Sequence, residues 1–270
     1  MKLSVVLFAL VTVVAIDDED DEANISPMYN YHFKVGIPLA EKIHELENGI
    51  TGGQIATLGE YPYQAGLIAS FSGVRSVCDG ALVSARTVLT AAHCWYDGYS
   101  QASNFIVVLG TVNLFSGGTR IVTKKVIMHP NFNPNHYVND IAIIHLPIHV
   151  NFSRLIKPIA LPLGNETFAG KNGIVTGFEL TQDVEEIRAP MIYVELSIML
   201  NHECNIIDSR ISKTQICTTG AHNRSILDRA WSLTLTKLEQ RVLIGIHSFN
   251  SNRTFNAPAV FTRISSHRSW

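Results

Sequence analysis

The chain has 270 residues, 46% hydrophobic and 16% charged, with a formal net charge of −2. That is enough apolar material to bury a sizeable core, and it excludes a disordered polymer. The charge is uneven: residues 1–49 carry three basic and nine acidic groups, residues 50–270 eighteen and fourteen. Lys and Arg stand singly or as the pair Lys124-Lys125 rather than as a stripe, which excludes nucleic acid as a partner.

Met1-Lys2 ahead of the apolar run 3–16, with Val13-Val14-Ala15 as a cleavage site, reads as a secretory signal peptide over 1–15. The run is shorter than the ~20 residues of a spanning helix, and the acids Asp17–Glu22 follow at once. A secreted, extracellular protein without a membrane partner is expected. The acidic run is a solvated spacer, and apolar then helix-friendly residues occupy 31–43. From Gly53 onward the chain reads as all-β. Short β-branched or aromatic runs recur at 64–69, 81–83, 87–90, 105–109, 120–128, 141–146, 173–177, 191–200, 241–249 and 259–262. Turn signals such as Ser116-Gly117-Gly118 separate them, and periodicity alone permits either a sandwich or barrels.

Four cysteines in a secreted chain suggest two disulfides with three possible pairings. No Cys-x-x-Cys pair occurs, and neither a metal nor a cofactor is expected. Asn151, Asn165, Asn223 and Asn252 open glycosylation sequons, as does Asn24, which Pro27 makes the poorest.

The run Thr90-Ala91-Ala92-His93-Cys94 ends a strand and opens a helical turn, where small alanines let the chain pack closely behind a fixed histidine. Such a histidine suits a general base. Downstream, Asn139-Asp140-Ile141-Ala142-Ile143-Ile144 places one carboxylate at the head of an apolar strand, where an imidazole N–H is a suitable partner. Then come Ile244-Gly245-Ile246-His247-Ser248-Phe249 and Pro258-Ala259-Val260-Phe261-Thr262-Arg263. Together with Ile50-Thr51-Gly52-Gly53, these runs resemble the chymotrypsin-like serine proteases in order and spacing over about 220 residues.

The resemblance implies two antiparallel six-stranded β-barrels with a cleft between them, about 50–160 and 161–270, meeting at Lys157-Pro158-Ile159-Ala160-Leu161-Pro162. It puts His93 and Asp140 on the first barrel, as general base and orienter, and implies disulfides Cys78–Cys94 and Cys204–Cys217. Residues 29–48 resemble the propeptides of insect digestive chymotrypsins and collagenase-like relatives, which makes 16–49 an acidic propeptide-like segment. A cut before Ile50 would activate such a zymogen, yet Gly49 stands where the family has Arg or Lys. The chain ends at Trp270, where the family begins a final helix, so that helix is expected to be missing.

The third catalytic member is where the sequence departs. In place of Gly-Asp-Ser-Gly-Gly-Pro, the region after Cys217 runs from Ala221 to Leu235 without a glycine. Nucleophile, oxyanion-hole donors and acceptor for a new N-terminus are absent together. Ser232 lies on the alternating run 231–235, which reads as a strand rather than a sharp nucleophile turn. Ser225 aligns with the base of the specificity pocket, and Ser248, Phe249 and Asn250 with its wall. The expected protein is therefore a monomeric, non-catalytic homologue acting by binding a peptide, a protease inhibitor or a protease, with 248–250 as the edge for strand addition. The competing expectation is an active digestive endopeptidase whose written sequence is in error over 227–232.

Overall fold

The computed structural model describes residues 29–46, 56–136, 138–178, 181–183, 186–188, 191–219, 232–251 and 258–270. The signal peptide, the acidic run 17–22, Gly49, Ile50, Ser225 with the rest of 220–231, and the sequons at Asn24, Asn223 and Asn252 lie outside the described residues.

Seven strands build the first sheet: β1 (Gln64–Ser70), β2 (Arg75–Ser84), β3 (Thr87–Thr90), β4 (Asn104–Leu109), β5 (Thr119–Thr123), β6 (Val126–Met128) and β7 (Ala142–His145). Their order is β5-β4-β1-β2-β3-β7-β6, with antiparallel pairing throughout. The two outermost strands are consecutive halves of one run bent at Lys124-Lys125. The Thr123 hydroxyl holds the bend by donating to the His145 carbonyl at 2.7 Å and accepting the Lys125 N–H at 3.1 Å. The His145 N–H in turn donates to the Lys125 carbonyl at 2.9 Å. That single bent run closes the sheet on itself, so seven segments make six barrel strands.

The second sheet follows the same logic with β8 (Asn172–Phe178), the hairpin β9 (Thr181–Asp183) and β10 (Glu186–Arg188), then β11 (Met191–Ser197), β12 (Gln215–Thr218), β13 (Ser232–Lys237), β14 (Gln240–Asn250) and β15 (Ala259–Arg263). The β9–β10 hairpin stands apart, and the remaining six strands run β11-β8-β13-β14-β15-β12. The end strands meet where the Met199 N–H donates to the Cys217 carbonyl at 2.9 Å and the Thr219 N–H to the Ser197 carbonyl at 2.8 Å. Leu238 and Glu239, both at positive φ (48° and 63°), make the two-residue turn between β13 and β14, the twist that matches paired strands.

The two curled sheets meet across buried polar groups. The Asp79 carboxylate on β2 accepts from the Gln64 amide at 3.0 Å and from the Phe178 N–H of the second sheet at 3.2 Å, while the Thr176 hydroxyl donates to the Gln64 side-chain carbonyl at 2.9 Å. A buried carboxylate at 3% exposure persists because these donors replace water.

The N-terminal segment is part of the same body. A π-helical turn, His32–Gly36, runs into α1 (Ile37–Leu46). Pro38 stands where the π-helical turn passes into the α-helix and, lacking an N–H, donates nothing to the carbonyls of the preceding turn. Leu39, Ala40 and Ile43 recur at helical spacing, face the first barrel, and join its core together with Tyr31. Burying three side chains as large as Tyr31, Leu39 and Ile43 stabilises the docked position by about 1.5–3 kcal/mol each. A shorter helix, α2 (Asn201–Ile207), is tied to β12 by the Cys204–Cys217 disulfide. Among the described residues no helix is long and apolar enough to cross a membrane.

Candidate functional site

His93 lies in a single 3₁₀ turn, Ala92–Cys94, directly after β3, and the Cys78–Cys94 disulfide fastens that turn to β2. Ala91 and Ala92 are fully buried, as their small size allows. Asp140 precedes β7, and Asn139 before it takes a positive φ of 54° that turns the carboxylate inward. The His93 Nδ1 stands 2.8 Å from Asp140 Oδ2, and the His93 backbone N–H donates to Oδ1 at 2.9 Å. An ionised carboxylate only accepts, so Nδ1 carries the proton and Nε2 is left as the basic nitrogen.

Two residues of the second barrel complete the carboxylate's surroundings. The Ser248 hydroxyl donates to Asp140 Oδ2 at 2.7 Å, and the Thr262 hydroxyl to the Asp140 backbone carbonyl at 2.8 Å. Burial pushes the Asp140 carboxyl up, but the His93 charge and its hydrogen bonds, with that of Ser248, outweigh it and hold the group below its ordinary value. Both members are shut off from solvent, His93 at 0% exposure and Asp140 at 2%.

The sequence-derived residues separate into those this geometry gathers and those it places elsewhere. His93, Asp140 and Ser248 form one network, with Ser248 supporting the carboxylate. Phe249 is fully buried, and Asn250 places its Oδ1 3.2 Å from the His247 Nε2. Residues 248–250 end β14, paired on one side with β15. Ser232 opens β13 opposite Ile246 and Thr176, fully buried, its hydroxyl donating to the Gly80 carbonyl at 3.4 Å. It is a strand serine. Both implied disulfides are present.

Among the described residues the sole cluster with metal-ligand spacing is Cys78, His93 and Cys94. Its two sulfurs are bonded to each other and are not the thiolates a metal takes. His145 and His149 stand four apart, but Pro147 between them keeps the run out of a helix; His145 ends β7 and His149 lies exposed beyond it.

Sequence reasoning missed one neighbour. The ring of Tyr31, from the N-terminal segment, packs edge-on against the His93 imidazole with centroids 4.7 Å apart and planes at 65°. An aromatic residue ahead of a helix carries no local signal that it will reach a histidine 62 positions later.

A family model described as Trypsin matches residues 50–229. Chymotrypsin from Phaedon cochleariae is 28% identical, the alignment covering all of this chain and 96% of that protein. Collagenase from Hypoderma lineatum is 31% identical over 84% of this chain and 88% of its own length. The solved structure of HL collagenase superposes with a TM-score of 0.70 at 30% identity, covering 82% of this chain and 96% of that one.

Proposed function

Because the chain belongs to the trypsin family of chymotrypsin-like serine proteases, we infer that it is a secreted, non-catalytic member, a monomer that acts by binding peptides, protease inhibitors or proteases. The organisation that goes with this reading is a signal peptide over 1–15, a propeptide-like segment over 16–49 and two barrels divided near 160. One observation carries it: from Ala221 to Leu235 the chain has no glycine and no Gly-Asp-Ser-Gly run, and the serine nearest the expected position, Ser232, is fully buried in a strand. His93 and Asp140 are then a base and its orienter without a nucleophile to deprotonate.

The size of the deficit supports the same reading. Loss of a serine nucleophile alone costs on the order of a millionfold in kcat, and what survives depends on the oxyanion hole, whose glycine donor is missing as well. Recognition has no such requirement. A ligand strand laid along 248–250 would use main-chain hydrogen bonds in the manner of strand addition.

A second reading, an active endopeptidase whose written sequence is wrong over 227–232, draws on the intact His93, Asp140 and Ser248 network. Peptide mapping of the protein from its natural source separates the two. Tryptic cleavage after Arg229 and Lys237 is expected to release Ala230-Trp231-Ser232-Leu233-Thr234-Leu235-Thr236-Lys237. A Gly-Asp-Ser-Gly-Gly peptide in its place, with labelling by a fluorophosphonate, would overturn the non-catalytic reading.

A further inference from the structure

Strand β2 is ten residues long, but β3 covers only its second half, Gly80 to Ser84. Along 75–79 the second edge has no strand partner among the described residues, and the N-terminal segment lies there. The Tyr31 hydroxyl donates to the Val77 carbonyl at 2.8 Å, and His32 Nδ1 sits 2.9 Å from the Ser76 hydroxyl. The loop after His93 supplies the other wall. Asp97 accepts the Asn30 N–H at its backbone carbonyl (3.1 Å) and the His32 N–H at Oδ2 (2.9 Å). Its Oδ1 meanwhile holds its own loop through the N–H groups of Tyr99 and Ser100. One fully buried carboxylate thus shapes the seat with one oxygen and binds the occupant with the other.

The fit is steric as well as polar. A Cβ on Gly36 would stand 1.9 Å from the Ser76 hydroxyl, and one on Gly98, at φ +88°, 2.7 Å from the Tyr29 ring. A side chain at either glycine, one on the occupant and one on the wall, would therefore collide with the side chain packed against it. Tyr31 and His32 are both at 0% exposure, and the Tyr31 ring closes on the imidazole of His93.

We propose that this face of the first barrel is a docking site for a tyrosine-led amphipathic helix, filled in cis by residues 29–46, whose Tyr31 seals His93 from the cleft. The site reads an aromatic hydroxyl at Val77, a following backbone N–H at Asp97, a glycine at Ser76 and an apolar helix face beyond. It is independent of whether the chain hydrolyses peptides, since the seal acts on the histidine and not on a nucleophile. A segment of the same chemistry supplied in trans competes for the same place.

The test follows the reactivity of His93 in the full chain at neutral pH. Diethyl pyrocarbonate modifies accessible imidazoles, and mass spectrometry reads His93 against His149, which is exposed. His93 is expected to react at least about tenfold more slowly than His149, and Gly36→Val, which unseats the segment without altering the barrel, to remove that protection while His149 keeps its rate. Adding a synthetic peptide of residues 29–46 to the Gly36→Val chain should restore protection, and the same peptide with Tyr31→Ala should not. Should Gly36→Val fail to fold, Tyr31→Ala in the full chain gives the same readout. The proposal is overturned if His93 in the unaltered chain reacts as fast as His149. It is equally overturned if His93 stays protected when hydrogen exchange shows 29–46 undocked, or if the peptide has no effect.

Discussion

Acid should loosen the N-terminal segment, and His32 sets the size of the effect. Burial pushes its imidazole from 6.5 down to about 4; the Asp97 carboxylate opposes the shift and the His93 charge adds to it. Its remaining neighbours offer little to an imidazolium: the Ser76 hydroxyl at Nδ1, the Phe71 ring at 4.4 Å and the Tyr31 ring at 5.6 Å. Its Nε2 has no hydrogen-bond partner among the described residues. With the docked value below the free one, the undocked histidine takes up its proton first. Docking is therefore insensitive to pH above about 7, weakens as pH falls through 6.5, and reaches its limit near 4. The full gap corresponds to a factor of about 300 in the docking equilibrium, about 3 kcal/mol, and at pH 5 to about 30-fold, or 2 kcal/mol. Hydrogen exchange of the 29–46 amides, corrected for the intrinsic pH dependence of exchange, measures the opening constant at pH 7 and pH 5. The reasoning is refuted if the corrected constant is the same at both, or if His32→Asn, which has no proton to gain, opens as much in acid as the unaltered chain.

Two further outcomes follow from the barrels. Asp140→Asn takes the charge from a group that accepts from the His93 backbone, its ring and Ser248, and should cost about 3–5 kcal/mol in urea unfolding. Replacing Leu238 with Asn and Glu239 with Gly suits the positive φ of both turn positions, and should raise stability by about 1 kcal/mol, read as a higher denaturation midpoint at unchanged slope.

What was legible in the sequence depended on where the determining contacts lay. Runs such as 105–109 and 259–262 carry β-branched and aromatic side chains whose burial they themselves announce, and they are strands to within a residue. The strand expected at 81–83 begins at Arg75: Arg75, Ser76, Asp79 and Gly80 carry no strand signal of their own, and only Gln64 and Phe178, brought from elsewhere, make Asp79 tolerable in a buried strand. The single run 120–128 was recognised but not its bend, because the Thr123 hydroxyl finds its partner on His145. In the site, His93 and Asp140 were visible as residue types in flanking runs with a known order. That the Ser248 hydroxyl turns back to Asp140 is not legible locally, since its partner lies 108 residues away. Tyr31 was invisible for a similar reason, its contact being created by the fold.

The network around Asp140 also gives His93 and Asp140 a part in the fold that is separate from any catalysis. A carboxylate at 2% exposure is costly unless its oxygens are occupied, and here His93 contributes two donors and Ser248 a third. Removing any one would leave a buried group short of partners, a penalty of about 1–3 kcal/mol or more for a charged acceptor, against a total stability of about 5–15 kcal/mol. Loss of His93 or Asp140 is therefore costly for the fold whether or not the chain hydrolyses peptides. The presence of His93 and Asp140 is what folding alone would retain, and it does not by itself argue for an active enzyme.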